Sequence, residues 1–293
     1  MADLSSGALP PLFELVASPS PDDAASDTAE WWRPTELARG PWDARHCHGG
    51  PVSAFLARAC ERIDDGTATV WQITRLTIEL TRPVPVGEPL RLTTDVERPG
   101  RKVSVVAASL SRSDGERLVE VAKVRALRIR RQQIDLPPHP TAPADIDGPV
   151  GAGRIERLSW ATDGAGTAFH MHGAEHRMVT GGWNDDGPVT LWIRLLSSIV
   201  EGETPSGVQR AAAAADFGNG VSSALPYEDF LYINPDLTVH LARPPEGEWI
   251  GMATHSVYGT DAESSGAGYA ESALHDERGR VGRSVQSLLV EAR

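Results

Sequence analysis

Two stretches decide the reading of this chain: Leu80-Thr81-Arg82-Pro83 followed by Gly87-Glu88, and Leu241-Ala242-Arg243-Pro244 followed by Gly247-Glu248. Their offsets agree, 243 − 82 = 161 and 247 − 87 = 160, so the chain holds a tandem repeat. Working outward, each copy shows the same succession. An alternating apolar run precedes the Arg-Pro (70–81 and 237–242), and another follows the Gly-Glu (90–96 and 249–258). A third run (102–111 and 266–275) reaches a polar turn, Ser113-Asp114-Gly115-Glu116 or Asp276-Glu277-Arg278-Gly279, and a last run (117–130 and 280–290) closes the copy. Period-two alternation bounded by such turns predicts consecutive antiparallel strands. Upstream, 50–62 places Val52, Phe55, Leu56, Ala59 and Ile63 at helical spacing, and 205–217 holds the Ala211 to Ala215 run. A further strand is expected before each helix, at 35–39 and 189–196.

The Pro- and Gly-rich stretch 133–153, with Pro137, Pro138, Pro140, Pro143 and Pro149, separates the copies as a linker. The expected organisation is a mobile segment 1–30 with order beginning near Trp31, a first unit 31–132, the linker 133–153 and a second unit 154–293. The 293 residues carry 28 Lys+Arg against 40 Asp+Glu, a formal charge of −12. No run of consecutive Lys or Arg provides the concentrated positive charge that a phosphate backbone needs, so nucleic acid is excluded as a partner, and an anionic membrane surface with it. No stretch of about 20 apolar residues is present and the start lacks a signal-peptide pattern, so the expected compartment is the cytoplasm. Cys47 and Cys60 are expected as reduced thiols.

Trp42-Asp43, then His48-Gly49-Gly50-Pro51-Val52-Ser53-Ala54 at a helix opening, the repeated Arg-Pro and Leu191-Trp192-Ile193-Arg194 before the second helix resemble the double-hotdog acyl-CoA thioesterases of the bacterial thioesterase II type. The resemblance spans residues 31–293 and implies an α+β fold, a double hotdog in which two helices are each wrapped by an antiparallel sheet and the sheets join edge to edge. It implies hydrolysis of acyl-CoA thioesters by a water held by three residues. Asp216, at the end of the second helix, matches the family's Asp, and Gln286 matches its last-strand Gln. Asn234 stands where the family has a Thr or Ser, and an amide can likewise donate to and accept from water. The resemblance also implies a homodimer or larger assembly.

The same residue types suit thioester hydrolysis on chemical grounds, which needs an aimed water, a proton acceptor and donors facing the developing oxyanion. Asp216 is the candidate base or water anchor, with Asn234 and Gln286 as orienting partners. The helix opening at His48, Gly49 and Gly50 is the candidate substrate-binding element, His48 fixing the loop and the glycines letting a carbonyl approach free amides. Using the repeat offsets, the first-half counterparts of Asp216, Asn234 and Gln286 are expected at Phe55, Ile73 and Ala122, all apolar, which predicts one composite site per chain.

No metal is expected from His46, Cys47 and His48 or from His170, His172 and His176, which lack paired ligand spacing. No cofactor is expected either, coenzyme A being part of the substrate. Arg98, Arg101 and Lys102 read as a solvated hairpin tip rather than a phosphate site. The chain has no Gly-x-Ser-x-Gly, nucleotide-binding glycine loop or Walker segment. Asn234-Pro235-Asp236 with His240 resembles the hotdog hydratase motif, but Tyr232 and Leu237 occupy the positions of its Asp and His. A non-catalytic acyl-binding hotdog protein and a hotdog enoyl-CoA hydratase remain alternatives. Trp42, Phe55, Trp183 and Trp192 are candidate pocket walls.

Overall fold

The computed structural model describes residues 9–19, 30–137, 146–156, 166–259 and 266–293. In the first half a short strand β1 (Phe13–Val16) and β2 (Glu30–Pro34) precede helix α1 (Gly49–Arg62), and four strands follow: β3 (Trp71–Glu79), β4 (Leu90–Arg98), β5 (Val103–Asp114) and β6 (Arg117–Arg130). In the second half β7 (Arg154–Glu156), β8 (Ala174–Thr180) and β9 (Val189–Leu195) precede α2 (Gly207–Ala215) and the single turn α3 (Gly218–Val221). The chain ends in β10 (Phe230–Ile233), β11 (Asp236–Leu241), β12 (Trp249–Tyr258), β13 (Ala267–Asp276) and β14 (Gly279–Ala292).

All fourteen strands form one antiparallel sheet, ordered β1-β2-β4-β5-β6-β3-β11-β14-β13-β12-β9-β8-β7, with β10 paired to β14. The halves meet where β3 pairs with β11, and there Thr77 lies opposite Thr238. Since 238 − 77 = 161, the sequence repeat places each strand against its own copy, with a local two-fold axis at the Thr77/Thr238 pair. The two helices lie together inside the curved sheet. Gly50 makes this approach close, because a Cβ there would stand 2.8 Å from the Ala213 carbonyl oxygen. Ala211 to Ala215 are all buried, so small side chains let α2 pack against α1 and the sheet together.

Packed structure begins earlier than Trp31. Leu12 and Phe13 are fully buried and Phe13 stacks on Phe55 at 4.2 Å, so the N-terminal segment contributes core. Residues 20–29, and 138–145 of the linker, lie outside the described residues. The strand expected at 35–39 is instead a 3-10 turn, Glu36–Ala38. The strand falls at Glu30–Pro34, and Pro34 at its end removes a ladder donor. The short strands β1, β7, β8 and β10 add to the five expected per half.

The sheet register corrects two counterparts. Thr77 pairs with Arg125 and Thr238 with Val285, an offset of 160, so Gln286 corresponds to Ala126 rather than Ala122. The turn glycines misled because β6 carries four more residues between Gly115 and this register than β14 does after Gly279, and each hairpin has its own register shift. The helix ends match Asp216 to Ile63 rather than Phe55, since α1 has 14 residues and α2 has 9. Ile73 stands as the counterpart of Asn234.

Candidate active site

The Ala run carries α2 to Ala215, and Asp216 caps its end in helical conformation. Gly218-Asn219-Gly220 then breaks the helix into the turn α3. This break is pinned from β14. Gln286, 1 % exposed, donates from Nε2 to the Asp216 carbonyl (3.2 Å) and accepts at Oε1 from the Asn219 amide (3.1 Å). Asn219 in turn donates from Nδ2 to the Tyr232 carbonyl (3.2 Å). Asn234, between β10 and β11, donates from Nδ2 to Asp216 Oδ1 (2.8 Å). The structure therefore brings Asp216, Asn234 and Gln286 together, with a difference in rank. Asn234 holds the carboxylate, while Gln286 holds the backbone beneath it and is not on the cavity wall.

The helix α1 opens against the same carboxylate. A Cβ on Gly49 would lie 2.5 Å from Asp216 Oδ1, so the negative group rests on the first turn of the helix, where unpaired amides and the helix dipole favour it. His48 is the N-cap. Its Nδ1 lies 2.8 Å from Asp216 Oδ2 and 3.0 Å from the Gly50 amide nitrogen. One ring nitrogen cannot both donate to the carboxylate and accept from the amide. Gly50 is thus closely engaged with His48 and packed on α2, away from the cavity, and of the two glycines Gly49 is the one on its wall.

The cavity over this array measures about 410 Å³, within the range of small-molecule sites. His48, Gly49, Asp216 and Asn234 form its polar side, and Trp42, Trp183, Phe217, Tyr227 and Tyr232 its aromatic side. Trp42 stacks on Tyr227 and meets Tyr232 edge-on, both at 5.2 Å, and the Arg293 guanidinium sits 4.4 Å over the Tyr227 ring. Phe55 and Trp192, also expected as walls, lie elsewhere. Phe55, on α1, is turned into the core against Phe13, and Trp192 packs beside Gly251. Arg98, Arg101 and Lys102 are exposed on the β4–β5 hairpin.

Behind His48 a ring cluster fixes its plane: Phe217 at 4.6 Å, Phe169 at 5.3 Å and His170 at 6.3 Å. His170 belongs to a π-helical turn, Phe169–Gly173, and His176 to β8, so these histidines do not share one strand face. Burial drives both far below the ordinary imidazole value, to about 3, with neighbouring histidines adding to the effect on His170. Both are neutral at physiological pH. Asp43, at the cavity rim, is held well below the usual carboxylate range by hydrogen bonds from Arg45. Burial pushes the Cys60 thiol up to about 12 and raises that of Cys47, and both cysteines are free.

Sequence reasoning missed Tyr227, Tyr232, Phe217 and Asn219. The Gly218-Asn219-Gly220 triplet directly after Asp216-Phe217 was the available signal. The repeat supplies a second cavity of about 390 Å³, lined by Ser206 and Gly207 at the opening of α2 and by Ile63, Ile73 and Pro244. These are the structural counterparts of His48, Gly49, Asp216, Asn234 and Pro83. Ile63 and Ile73 replace the carboxylate and amide, and a buried Asp65–Arg128 ion pair (2.8 Å) lies alongside.

The comparisons agree with this duplication. An acyl-CoA thioesterase N-terminal domain matches residues 38–129 and an acyl-CoA thioesterase C-terminal domain matches 135–290. No curated protein matches the chain. Among solved structures, a hotdog-fold protein of unknown function from Alicyclobacillus acidocaldarius is similar at 16 % identity and TM-score 0.66, over 93 % of this chain and 97 % of that one. A protein provisionally designated a thioesterase from Novosphingobium aromaticivorans is similar at 19 % and 0.65 (94 % and 97 %). An acyl-CoA thioesterase II from Mycobacterium marinum is similar at 14 % and 0.59 (90 % and 93 %). These likenesses establish the hotdog fold. With domain matches covering both halves, the chain belongs to the acyl-CoA thioesterase family.

Proposed function

We propose that this protein is a double hotdog that hydrolyses acyl-CoA thioesters to the free acid and coenzyme A with an activated water at one composite site. The observation that carries the reading is the buried Asp216 carboxylate, held by Asn234 and His48 against the opening of α1 at the polar side of an aromatic-walled cavity. Such a carboxylate anchors a water beside a thioester carbon. The first-turn amides of α1, with Gly49 leaving the approach open, supply donors for the oxyanion. Gln286 acts through the Asp216 backbone as a positioning residue. The aromatic walls suit an apolar acyl group.

Cytoplasmic localisation and assembly into a homo-oligomer complete the proposal. Among the described residues no helix is long and apolar enough to cross a membrane, and the terminal strands β1 and β7 leave sheet edges for pairing. The test is thiol release from a panel of short, medium, long and aromatic acyl-CoAs. Turnover by the wild type and its loss in Asp216→Ala are expected, while an inert wild type across the panel overturns the reading and favours a binding module. Crotonyl-CoA hydration without thiol release would favour a hydratase.

A further inference from the structure

The two claims on His48 Nδ1 decide which group takes the proton from water. We propose that His48 is the proton acceptor, its Nε2 facing the cavity while Nδ1–H donates to Asp216. This rests on the thioesterase reading and names the base within it. At 2.8 Å, a carboxylate oxygen and a ring nitrogen require a proton between them, since two lone pairs would repel. A charge-assisted bond is about twice as strong as a neutral one, so the carboxylate, rather than the Gly50 amide, sets the tautomer.

That tautomer leaves the lone pair on Nε2. Among the described residues Nε2 has no protein partner, and it is not one of the buried polar atoms closed off from solvent. His48 is 9 % exposed and its open surface belongs to the cavity. Asp216 is placed differently, since both of its oxygens already meet protein groups, Oδ1 with Asn234 and Oδ2 with His48. The titratable groups facing the His48 ring are Asp216 on α2, His170 in the π-turn and His176 on β8. The two histidines are neutral, so among the described residues Asp216 is the charged group in contact with the ring. It fixes the ring orientation and stabilises the imidazolium that forms.

In the step, Nε2 takes one proton of the water as its oxygen bonds to the thioester carbon and the carbonyl electron pair moves onto oxygen. The oxyanion collapses, the C–S bond breaks with its electron pair on sulfur, and Nε2 returns the proton to sulfur. Carboxylic acid and coenzyme A thiol result, with no redox change.

The proposal is tested by nitrogen-15 NMR of the histidine rings and by kinetics. A His48 Nδ1–H tautomer, lost in Asp216→Ala, is expected, whereas an Nε2–H tautomer with Nδ1 accepting from Gly50 overturns the assignment. His48→Asn keeps a polar group near Nδ1 and is expected to lose 10²–10⁴-fold in kcat while still folding. In His48→Ala, added imidazoles should restore turnover in proportion to their basicity. Activity of His48→Asn within tenfold of wild type, or rescue indifferent to basicity, refutes the role. An inert wild type removes the thioesterase reading and this assignment together, whereas an active wild type with the wrong tautomer removes only the assignment.

Discussion

Gly49→Ala separates the site from the scaffold more cleanly than removal of any polar residue. The added methyl would stand 2.5 Å from Asp216 Oδ1 and 2.7 Å from Oδ2, where ordinary contact begins at 3.4 Å, so the carboxylate must retreat by about 0.9 Å. A displacement near 1 Å in a catalytic group costs about 10²-fold in rate, or about 2.7 kcal/mol in the barrier. Stability responds differently. Alanine in the helix gains about 0.5–1 kcal/mol over glycine, which offsets strain on the Asn234–Asp216 hydrogen bond and leaves the net change within about 1 kcal/mol. The expected result is an acyl-CoA hydrolysis rate about 100-fold lower with a melting temperature shifted by only a few degrees. Steady-state thiol release together with thermal unfolding measures both. Activity within threefold of wild type would show that the position of the Asp216 carboxylate does not set the rate.

Three further outcomes follow from the buried polar groups. Gln286→Leu keeps volume but strands the Asn219 amide and the Asp216 carbonyl, so about 2–5 kcal/mol is lost in denaturant unfolding, with kcat falling as the α2 end shifts. His170 and His176 titrate at about 3 in the folded chain against about 6.5 unfolded. Their lowered values leave stability unchanged above about pH 6.5. It falls as pH drops from there toward 3, by up to about 1.4 kcal/mol per unit for each ring, and His176→Phe should flatten that slope in melting scans. Glu203 receives two 2.6 Å hydrogen bonds from Arg58, whose side chain is 5 % exposed. Glu203→Gln should cost about 1–3 kcal/mol, moderated because Glu203 reaches solvent; the Arg58 hydrogen bonds hold the Glu203 carboxyl below its ordinary value, so that cost should shrink only as pH falls below the ordinary carboxylate range.

The duplicated strand order was readable because alternation and turn glycines are local properties, and the 161-residue offset survives as the Thr77/Thr238 pairing itself. Asp216 and Asn234 were named together through the family resemblance, and the helix end and strand opening do bring them together. What escaped depends on packing between distant segments. Phe13 lies in a Pro- and Ser-rich stretch that gives no strand signal, yet it stacks on Phe55. Gln286 reads as a water ligand in isolation, but in the sheet it ties down the Asp216–Asn219 break. The Asp216–His48 contact joins residues 168 positions apart, and no sequence period encodes it.

The Thr77/Thr238 pairing also determines how labour is divided. Each cavity draws its helix opening from one half and its helix end from the other, so neither half contains a complete site. A change at the opening of α1 alters the cavity at Asp216 and leaves the second cavity, at the opening of α2, untouched. Duplication thus gives two cavities on a shared frame, and in the second Ile63 and Ile73 stand where the first holds Asp216 and Asn234.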